Sequence, residues 1–204
     1  VHWGLWDNLE LADKSLGIYQ DFLETARLRA KSEGFEGTKW PKCTAYNNVE
    51  WPGIAHAFLI WQQPHPIYFA EMEYRQKPNR ETLEKWKEVV FGTAEFLASF
   101  AYYHPEKGEY VLGPPIVPVS ENTPYAETFN PTFELCYWRY GLKVAKEWYN
   151  RLHIDVPAKI DSVYHQLSPY PVEDSLYTLY EGIPDMWTKY TFEHPAIIGI
   201  YGML

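Results

Sequence analysis

Apolar side chains recur every three or four residues in several long segments, with charged residues between them. The clearest segment, 80–102, has an apolar stripe on one side, glutamates and lysines on the other, and Asn79 in position to cap it. The same spacing predicts a long helix over 9–33 and a shorter one over 158–168. These patterns are typical of helices that bury one face only.

Three further segments begin with a polar residue, a proline and an apolar run. Proline is tolerated at the first helical position, because its missing N–H would have no partner there. The pairs His65-Pro66, Asn130-Pro131 and His194-Pro195 therefore predict helices over 66–77, 131–152 and 194–204. Their prolines are separated by 65 and then 64 residues.

The elements alternate in a fixed order: amphipathic helix, long loop, proline-started helix. This order predicts one partial domain over 1–204, made of three helical hairpins over about 7–77, 79–152 and 156–204. The predicted class is all-α, with the hairpins forming about half of an (α/α)6 toroid and a short β-hairpin near 109–119. The alternative is an irregular helical bundle in which the proline spacing is a coincidence.

Composition narrows the choice of partner. The formal net charge of −9 argues against nucleic acid, and no apolar stretch approaches the roughly 20 residues that span a bilayer. We therefore expect that the chain binds no nucleic acid and does not associate with a membrane. The chain has 9 Trp and 17 Tyr, many of them in the predicted loops. Rings with a polar tip suit an oligosaccharide or glycoside substrate, although they also serve as core residues.

Two carboxylates at the predicted start of the middle inner helix are candidates for acid and base chemistry. Glu121 follows a stiff, proline-rich apolar run, which predicts that its protonated form is favoured. Glu134 lies in the first turns of helix 131–152, where the helix dipole favours the ionised form. Glycoside hydrolysis needs such a pair. Glu134 can also be read as a helix-start carboxylate without a catalytic task.

The long loops all lead into the beginnings of the proline-started helices, so their polar and aromatic residues are expected at one rim. The candidate sugar contacts there are Trp40, Lys42, Glu50, Trp61, Gln62, Gln63, His65, Asn122, Asn130, Trp187 and Lys189. In the plainer interpretation, His65 caps its helix and the glutamines satisfy loop backbone. The sequence contains no metal-ligand spacing, phosphate loop or nucleophile elbow, and we expect neither metal nor cofactor.

Recognisable motifs lie in five short stretches of the chain: 34–41, 63–74, 93–96, 113–122 and 130–138. Together they resemble the six-hairpin glycosidases, and most closely glycoside hydrolase family 65 and its bacterial relatives. The stretch 34–41 is similar to a Gly-aromatic-x-Gly-Ala-Arg-aromatic-Pro motif of that family. The loop 113–122 lies where the family has Gly-Pro-Asp-Glu, although Ser120 and Asn122 replace the flanking Asp and Tyr.

The resemblance implies an inverting glycoside hydrolase or phosphorylase acting on α-glycosidic bonds, with Glu121 as general acid. The family's base and phosphate-binding serines lie beyond the position of Leu204. We therefore expect the chain to be the front part of a catalytic domain that is inactive alone and associates with its missing half or with itself. The rival hypotheses are a polysaccharide lyase on a related toroid and a non-catalytic helical module that binds carbohydrate or protein.

Overall fold

The computed structural model describes residues 2–45, 47–190 and 196–202, and most of them are helical. The helices are α1 (His2–Leu5), α2 (Leu9–Leu16), α3 (Ile18–Asp21), α4 (Leu23–Ser32), α5 (Ile54–Phe58), α6 (His65–Gln76), α7 (Arg80–Phe100), α8 (Thr132–Arg151), α9 (Ala158–Gln166), α10 (Met186–Lys189) and α11 (Gly199–Gly202). The strands are β1 (Tyr102–His104), β2 (Glu109–Val111), β3 (Val172–Glu173) and β4 (Leu176–Tyr177). None of the described helices has the length and hydropathy needed to cross a membrane.

The strongest periodic patterns give the helices that they predict. Helix α7 begins and ends within two residues of 80–102, and the Asn79 Oδ1 accepts the backbone N–H of Thr82 at 2.9 Å. Helices α6, α8 and α9 likewise match 66–77, 131–152 and 158–168 to within about two residues. The 3.6-residue period identified α7 and α9, and the proline starts identified α6 and α8.

The prediction of one continuous helix over 9–33 is wrong, because the segment forms α2, α3 and α4 with breaks at Gly17 and Phe22. Glycine is a poor helix former, and Phe22 has φ −106° and ψ 13°, outside the helical range. The last predicted helix, 194–204, is only partly described. His194 and Pro195 lie outside the described residues, while 196–198 form a short 3₁₀ turn that leads into α11.

The helix starts correct the register of the proline repeat. Helix α6 begins at His65 with Pro64 as its N-cap, so Pro66 is the second helical residue and His65 is not the cap. Helix α8 begins at Thr132, directly after Pro131. Pro64 and Pro131 are therefore the equivalent residues, and an amide side chain, Gln63 or Asn130, precedes each of them.

The β-hairpin lies earlier than expected. Strands β1 and β2 pair antiparallel, with Tyr102 opposite Val111 and His104 opposite Glu109, so the hairpin overlaps the predicted 109–119 only at its end. Prolines at 114, 115 and 118 have no N–H to give to a ladder, which explains why pairing stops after β2. A second short hairpin, β3 with β4, has no counterpart among the predictions.

The described contacts divide the chain into two compact units. Unit 1 comprises Val1–Trp40, Gln63–Ser99 and Gly141–Ile160. Its core contains the large apolar faces of α7 and of the second half of α8, with Trp86 and Trp148 fully buried. In this unit the Thr38 N–H donates to the Gly92 carbonyl at 2.8 Å, and Gly37 has φ +72°. This close approach accounts for the glycine in the 34–41 motif, since a side chain there would collide with α7.

Unit 2 comprises Pro41–Gln62, Phe100–Tyr140 and Asp161–Leu204. Its core is built around the first half of α8, where Leu135, Tyr137 and Trp138 are buried. A further apolar cluster consists of Leu179, Tyr180, Ile183 and Met186. Much of this unit is loop, so its buried backbone needs hydrogen-bond partners outside helices and strands.

A buried carboxylate holds α6 to α8 within unit 1. The side chain of Glu71 is 3% exposed and accepts hydrogen bonds from Trp148 Nε1 at 3.0 Å, from both terminal nitrogens of Arg151, and from Arg75 Nε at 3.1 Å. Burial alone would raise the pKa of Glu71, but the hydrogen bonds from Arg151, Trp148 and Arg75 hold it below its ordinary value. The ionised form is therefore the stabilising one.

Replacing Glu71 by Leu should lower the free energy of unfolding by about 3 kcal/mol at pH 7, because Trp148 Nε1 and Arg151 lose their acceptor. Because its folded pKa is depressed, the contribution of Glu71 is present above the unfolded value of about 4.5 and is lost as the pH falls through the folded pKa. Urea unfolding of the purified protein at pH 7 and near pH 3 measures both effects. Glu147→Gln, which removes the exposed partner of Arg151, is the control and should cost less than about 1 kcal/mol. Equal losses in both variants would contradict the assignment.

Candidate functional site

The loop that precedes α8, residues 112–131, is held at its base by Asn130. This residue is fully buried and has φ +48°, a backbone conformation that asparagine tolerates better than most residues. Its Oδ1 accepts the N–H of Leu112 at 2.9 Å, and its own N–H donates to the Leu112 carbonyl at 2.8 Å. Both ends of the loop are thereby joined. Asn130 therefore has a structural role, whereas it was expected from the sequence only as a sugar contact.

The amide nitrogen of Asn130 extends the connection to another loop. It donates to Glu181 Oε2 at 2.7 Å, and Glu181 also forms an ion pair with Lys107 in the turn of the β1–β2 hairpin. The Lys107 ammonium lies 5.0 Å from the centroid of the Phe129 ring. Glu181 and Lys107 were not among the predicted site residues, because their partners are more than 50 positions away in the sequence.

Glu134 lies in the first turn of α8 and is completely buried. Its Oε1 accepts the backbone N–H of Val119 at 2.7 Å, while Oε2 has no hydrogen-bond partner among the described residues. Burial raises the pKa of Glu134 to about 8, against the opposing effect of backbone hydrogen bonds from Glu134 itself and Val119. The expectation that Glu134 is the ionised carboxylate of the pair is therefore wrong.

Glu121 has the opposite environment. It lies in a turn in which its N–H donates to the Pro118 carbonyl at 2.9 Å, and its φ is +63°. Its side chain is 43% exposed and forms an ion pair with Lys42. The apolar surroundings expected from the preceding prolines do not enclose this carboxylate, because its side chain is partly exposed and paired with Lys42. The role of Glu121 as an acid stays a prediction.

Ser120 lies between Val119, which is bonded to Glu134, and Glu121, which is paired with Lys42. It was not among the predicted site residues. It is 1% exposed, and its hydroxyl has no hydrogen-bond partner among the described residues. Its position in the resemblance, where the family has an aspartate, was the available signal. A buried polar atom of this kind is uncommon and is usually satisfied by water or ligand.

Two of the predicted sugar contacts form a closed clamp in unit 1. Gln63 Oε1 accepts the Trp40 N–H at 2.8 Å, and Gln63 Nε2 donates to the Trp40 carbonyl at 2.6 Å. Trp40 is also buried, with its Nε1 bonded to Thr93 Oγ1 at 2.9 Å. The plainer interpretation of the glutamines, that they satisfy loop backbone, is confirmed. In unit 2 the Gln62 Nε2 donates to the Leu59 carbonyl at 3.0 Å.

The other predicted contacts are distributed over both units. In unit 1, burial lowers the pKa of His65 to about 4, so the imidazole is neutral at pH 7. In unit 2, the Trp61 ring lies 6.4 Å from that of Phe133, and Glu50 forms an isolated backbone β-bridge with Thr44. Asn122 is exposed beside Glu121, and Trp187 and Lys189 are exposed on α10. Lys189 forms an ion pair with Asp185, the residue that precedes its helix.

The described contacts thus bring together only part of the predicted site. Lys42 and Glu121 are joined by the ion pair, and Glu134 is joined to the same loop through Val119. Among the residues described, no group of three or more His, Cys, Asp or Glu side chains is arranged to hold a metal ion. The chemistry that this arrangement offers is that of a carboxyl group beside an amine.

Comparison with known proteins gives the fold. No model of a known family matches the chain, and no curated protein matches it either. A solved structure described as "Putative kojibiose phosphorylase from human microbiome" matches with a TM-score of 0.72 at 13% sequence identity. The match covers 95% of this chain and 30% of that one, so the chain spans less than a third of its neighbour.

At this level of identity the likeness establishes the fold class and nothing finer. The chain is a helical domain of the (α/α)6 type with short β-hairpins, as the alternation of amphipathic and proline-started helices predicted. The likeness favours this fold over the alternative, an irregular helical bundle in which the proline spacing is a coincidence.

The raised pKa of Glu134 makes stability depend on pH. Because the folded pKa lies above the unfolded value, the folded state retains a proton that the unfolded state loses. The free energy of unfolding should therefore fall between about pH 4.5 and pH 8, by up to about 1.4 kcal/mol per pH unit. Glu134→Gln should remove this dependence, and thermal or urea unfolding across that range measures it. The exposed Glu127→Gln is the control, and parallel pH curves for wild type and Glu134→Gln would contradict a raised pKa.

Proposed function

We propose that the chain forms part of the catalytic domain of an inverting glycoside hydrolase or phosphorylase that acts on α-glycosidic bonds, with Glu121 as general acid. The observation that carries the proposal is the presentation of Glu121, a partly exposed carboxyl group at the turn of a loop whose backbone is fixed on both sides. Asn130 holds the base of the loop, and Glu134 holds Val119, two residues before Glu121.

Cleavage with inversion requires one carboxylic acid to protonate the leaving oxygen while a nucleophile attacks from the opposite face. Glu121 is able to reach a bound substrate because its side chain is exposed, whereas Glu134 is enclosed by protein. A general acid must lie within hydrogen-bond reach of the atom that it protonates. Accessibility therefore favours Glu121 over Glu134 for this step.

Lys42 sets a condition on the reaction. Its ammonium pairs with the Glu121 carboxylate, so a substrate that meets this carboxyl group has to displace the lysine. Proton donation requires the pair to open, so that the carboxyl group can give a proton to the glycosidic oxygen as the nucleophile attacks the anomeric carbon. We propose that the substrate occupies the position beside Glu121 and displaces the lysine, which is then free to contact a sugar hydroxyl.

The substrate class rests on the composition of the loops and on the fold. Exposed or partly exposed aromatic rings, including those of Trp61 and Trp187, suit stacking against sugar rings, and Asn122 and Lys189 offer hydrogen-bond donors. The neighbour in fold is described as a phosphorylase of a disaccharide, which supports carbohydrate as the substrate class.

Glu121→Gln should reduce kcat at least 100-fold on a natural α-glucoside, because the amide cannot donate the proton that the leaving oxygen needs. The loss should be much smaller on an α-glucosyl fluoride, whose leaving group needs little protonation. Hydrolysis and phosphorolysis rates are measured in the longest natural polypeptide that contains this sequence.

The matched control is Glu127→Gln, an exposed carboxylate in the same loop that should keep wild-type rates. Undiminished turnover in Glu121→Gln would remove Glu121 from the mechanism. An equal loss on both substrates would contradict a role in proton donation.

A further inference from the structure

We propose that Glu134 is a positioning residue that fixes the Glu121 turn through the Val119 amide, and that it is not a second catalytic carboxylate. The inference rests on the proposed function for its effect on turnover. Its structural part, the anchoring of the turn, is independent of any activity. The argument follows from what each oxygen of Glu134 contacts.

The hydrogen bonds along the loop show where Glu121 gets its position. The N–H of Ile116 donates to the Tyr125 carbonyl, and that of Val117 donates to the Phe58 carbonyl, both at 3.0 Å. Pro118 has no N–H, so the next backbone donor is Val119, and it is bonded to Glu134 Oε1. Val119 lies inside the turn that the Glu121 N–H closes on the Pro118 carbonyl, so Glu134 bonds directly to that turn.

The surroundings of Glu134 suit an acceptor that stays neutral. Glu121, on the loop that Glu134 contacts, pairs with Lys42 from another loop, and Glu134 forms no ion pair among the described residues. The nearest cation on its own helix, Arg139, instead donates to the Leu167 and Ser168 carbonyls and lies over the Tyr170 ring. A completely buried carboxyl group without a cation is neutral at pH 7, which the burial-raised pKa of about 8 agrees with.

Glutamine can act as a neutral hydrogen-bond acceptor, but it cannot transfer a proton. Glu134→Gln keeps an oxygen for the Val119 N–H and has nearly the same volume. Glu134→Met has similar length and no strong acceptor. The two variants therefore separate positioning from catalysis at a single residue, with Glu134→Gln as the conservative rescue.

Hydrogen exchange followed by mass spectrometry, in the longest natural polypeptide that contains this sequence, gives the structural readout for the peptide 116–122. In Glu134→Met this peptide should gain roughly one fast-exchanging amide, while peptides from α8 stay protected and show that the fold is retained. In Glu134→Gln the exchange should match wild type. Turnover on an α-glucoside should show kcat at least ten-fold lower in Glu134→Met than in Glu134→Gln, with KM nearly equal, because the acid is displaced but the sugar contacts remain.

Two results would overturn the proposal. If Glu134→Gln is as inactive as Glu134→Met while its loop stays protected, the ionisable proton of Glu134 is needed and the residue is catalytic. If exchange in 116–122 is unchanged in Glu134→Met, the turn does not depend on Glu134. Failure of the general-acid role is recognised separately, because Glu121→Gln would then be active while the exchange result for Glu134→Met is unaffected.

Discussion

Buried loop backbone is the constraint on which the candidate site depends. Backbone N–H and C=O groups removed from water need partners, and a segment outside helices and strands obtains them from side chains as well as from other backbone groups. In this protein, Gln63, Asn130 and Glu134 supply those partners, and all three lie at or just before the beginning of a helix. Side chains at the helix starts thereby hold the backbone of the loops in place.

The same device occurs twice with the same local chemistry. Gln63 binds both the N–H and the carbonyl of Trp40, and Asn130 binds both polar groups of Leu112, one through its side chain and one through its backbone. In each case a proline follows the amide and a helix begins one residue later. The repeat that the proline spacing suggested is therefore a repeat of loop anchors, shifted by two residues in its first copy.

The sequence predicted the helices well because their signal is local. The 3.6-residue stripe of 80–102 and the Asn79 cap depend on neighbouring residues only, and α7 follows them closely. The breaks at Gly17 and Phe22 were missed because the apolar periodicity continues across them, although the helical conformation of the backbone does not. Fold class was predictable from the order of elements, since that order survives errors of a few residues at their ends.

The site was predictable only in its residue types. Glu121 and Lys42 are 79 positions apart, so no local pattern could have shown that they pair. For Glu134, the local argument gave the wrong charge state because it weighed the smaller effect. A helix dipole favours an ionised side chain by about 0.3–1 kcal/mol, whereas burying an unpaired carboxylate costs several kcal/mol.

Glu134 and Glu121 differ because the first carboxyl group is buried and the second is partly exposed. The carboxyl group whose pKa is raised is the one enclosed by protein, whereas the one that is exposed forms an ion pair with an amine. Glu121 therefore does not lie in the apolar pocket that its sequence context predicted. Under the proposed function, a substrate that meets Glu121 has to displace Lys42. A rigid turn is useful in such an arrangement, because displacement of the lysine then leaves the carboxyl group where it was.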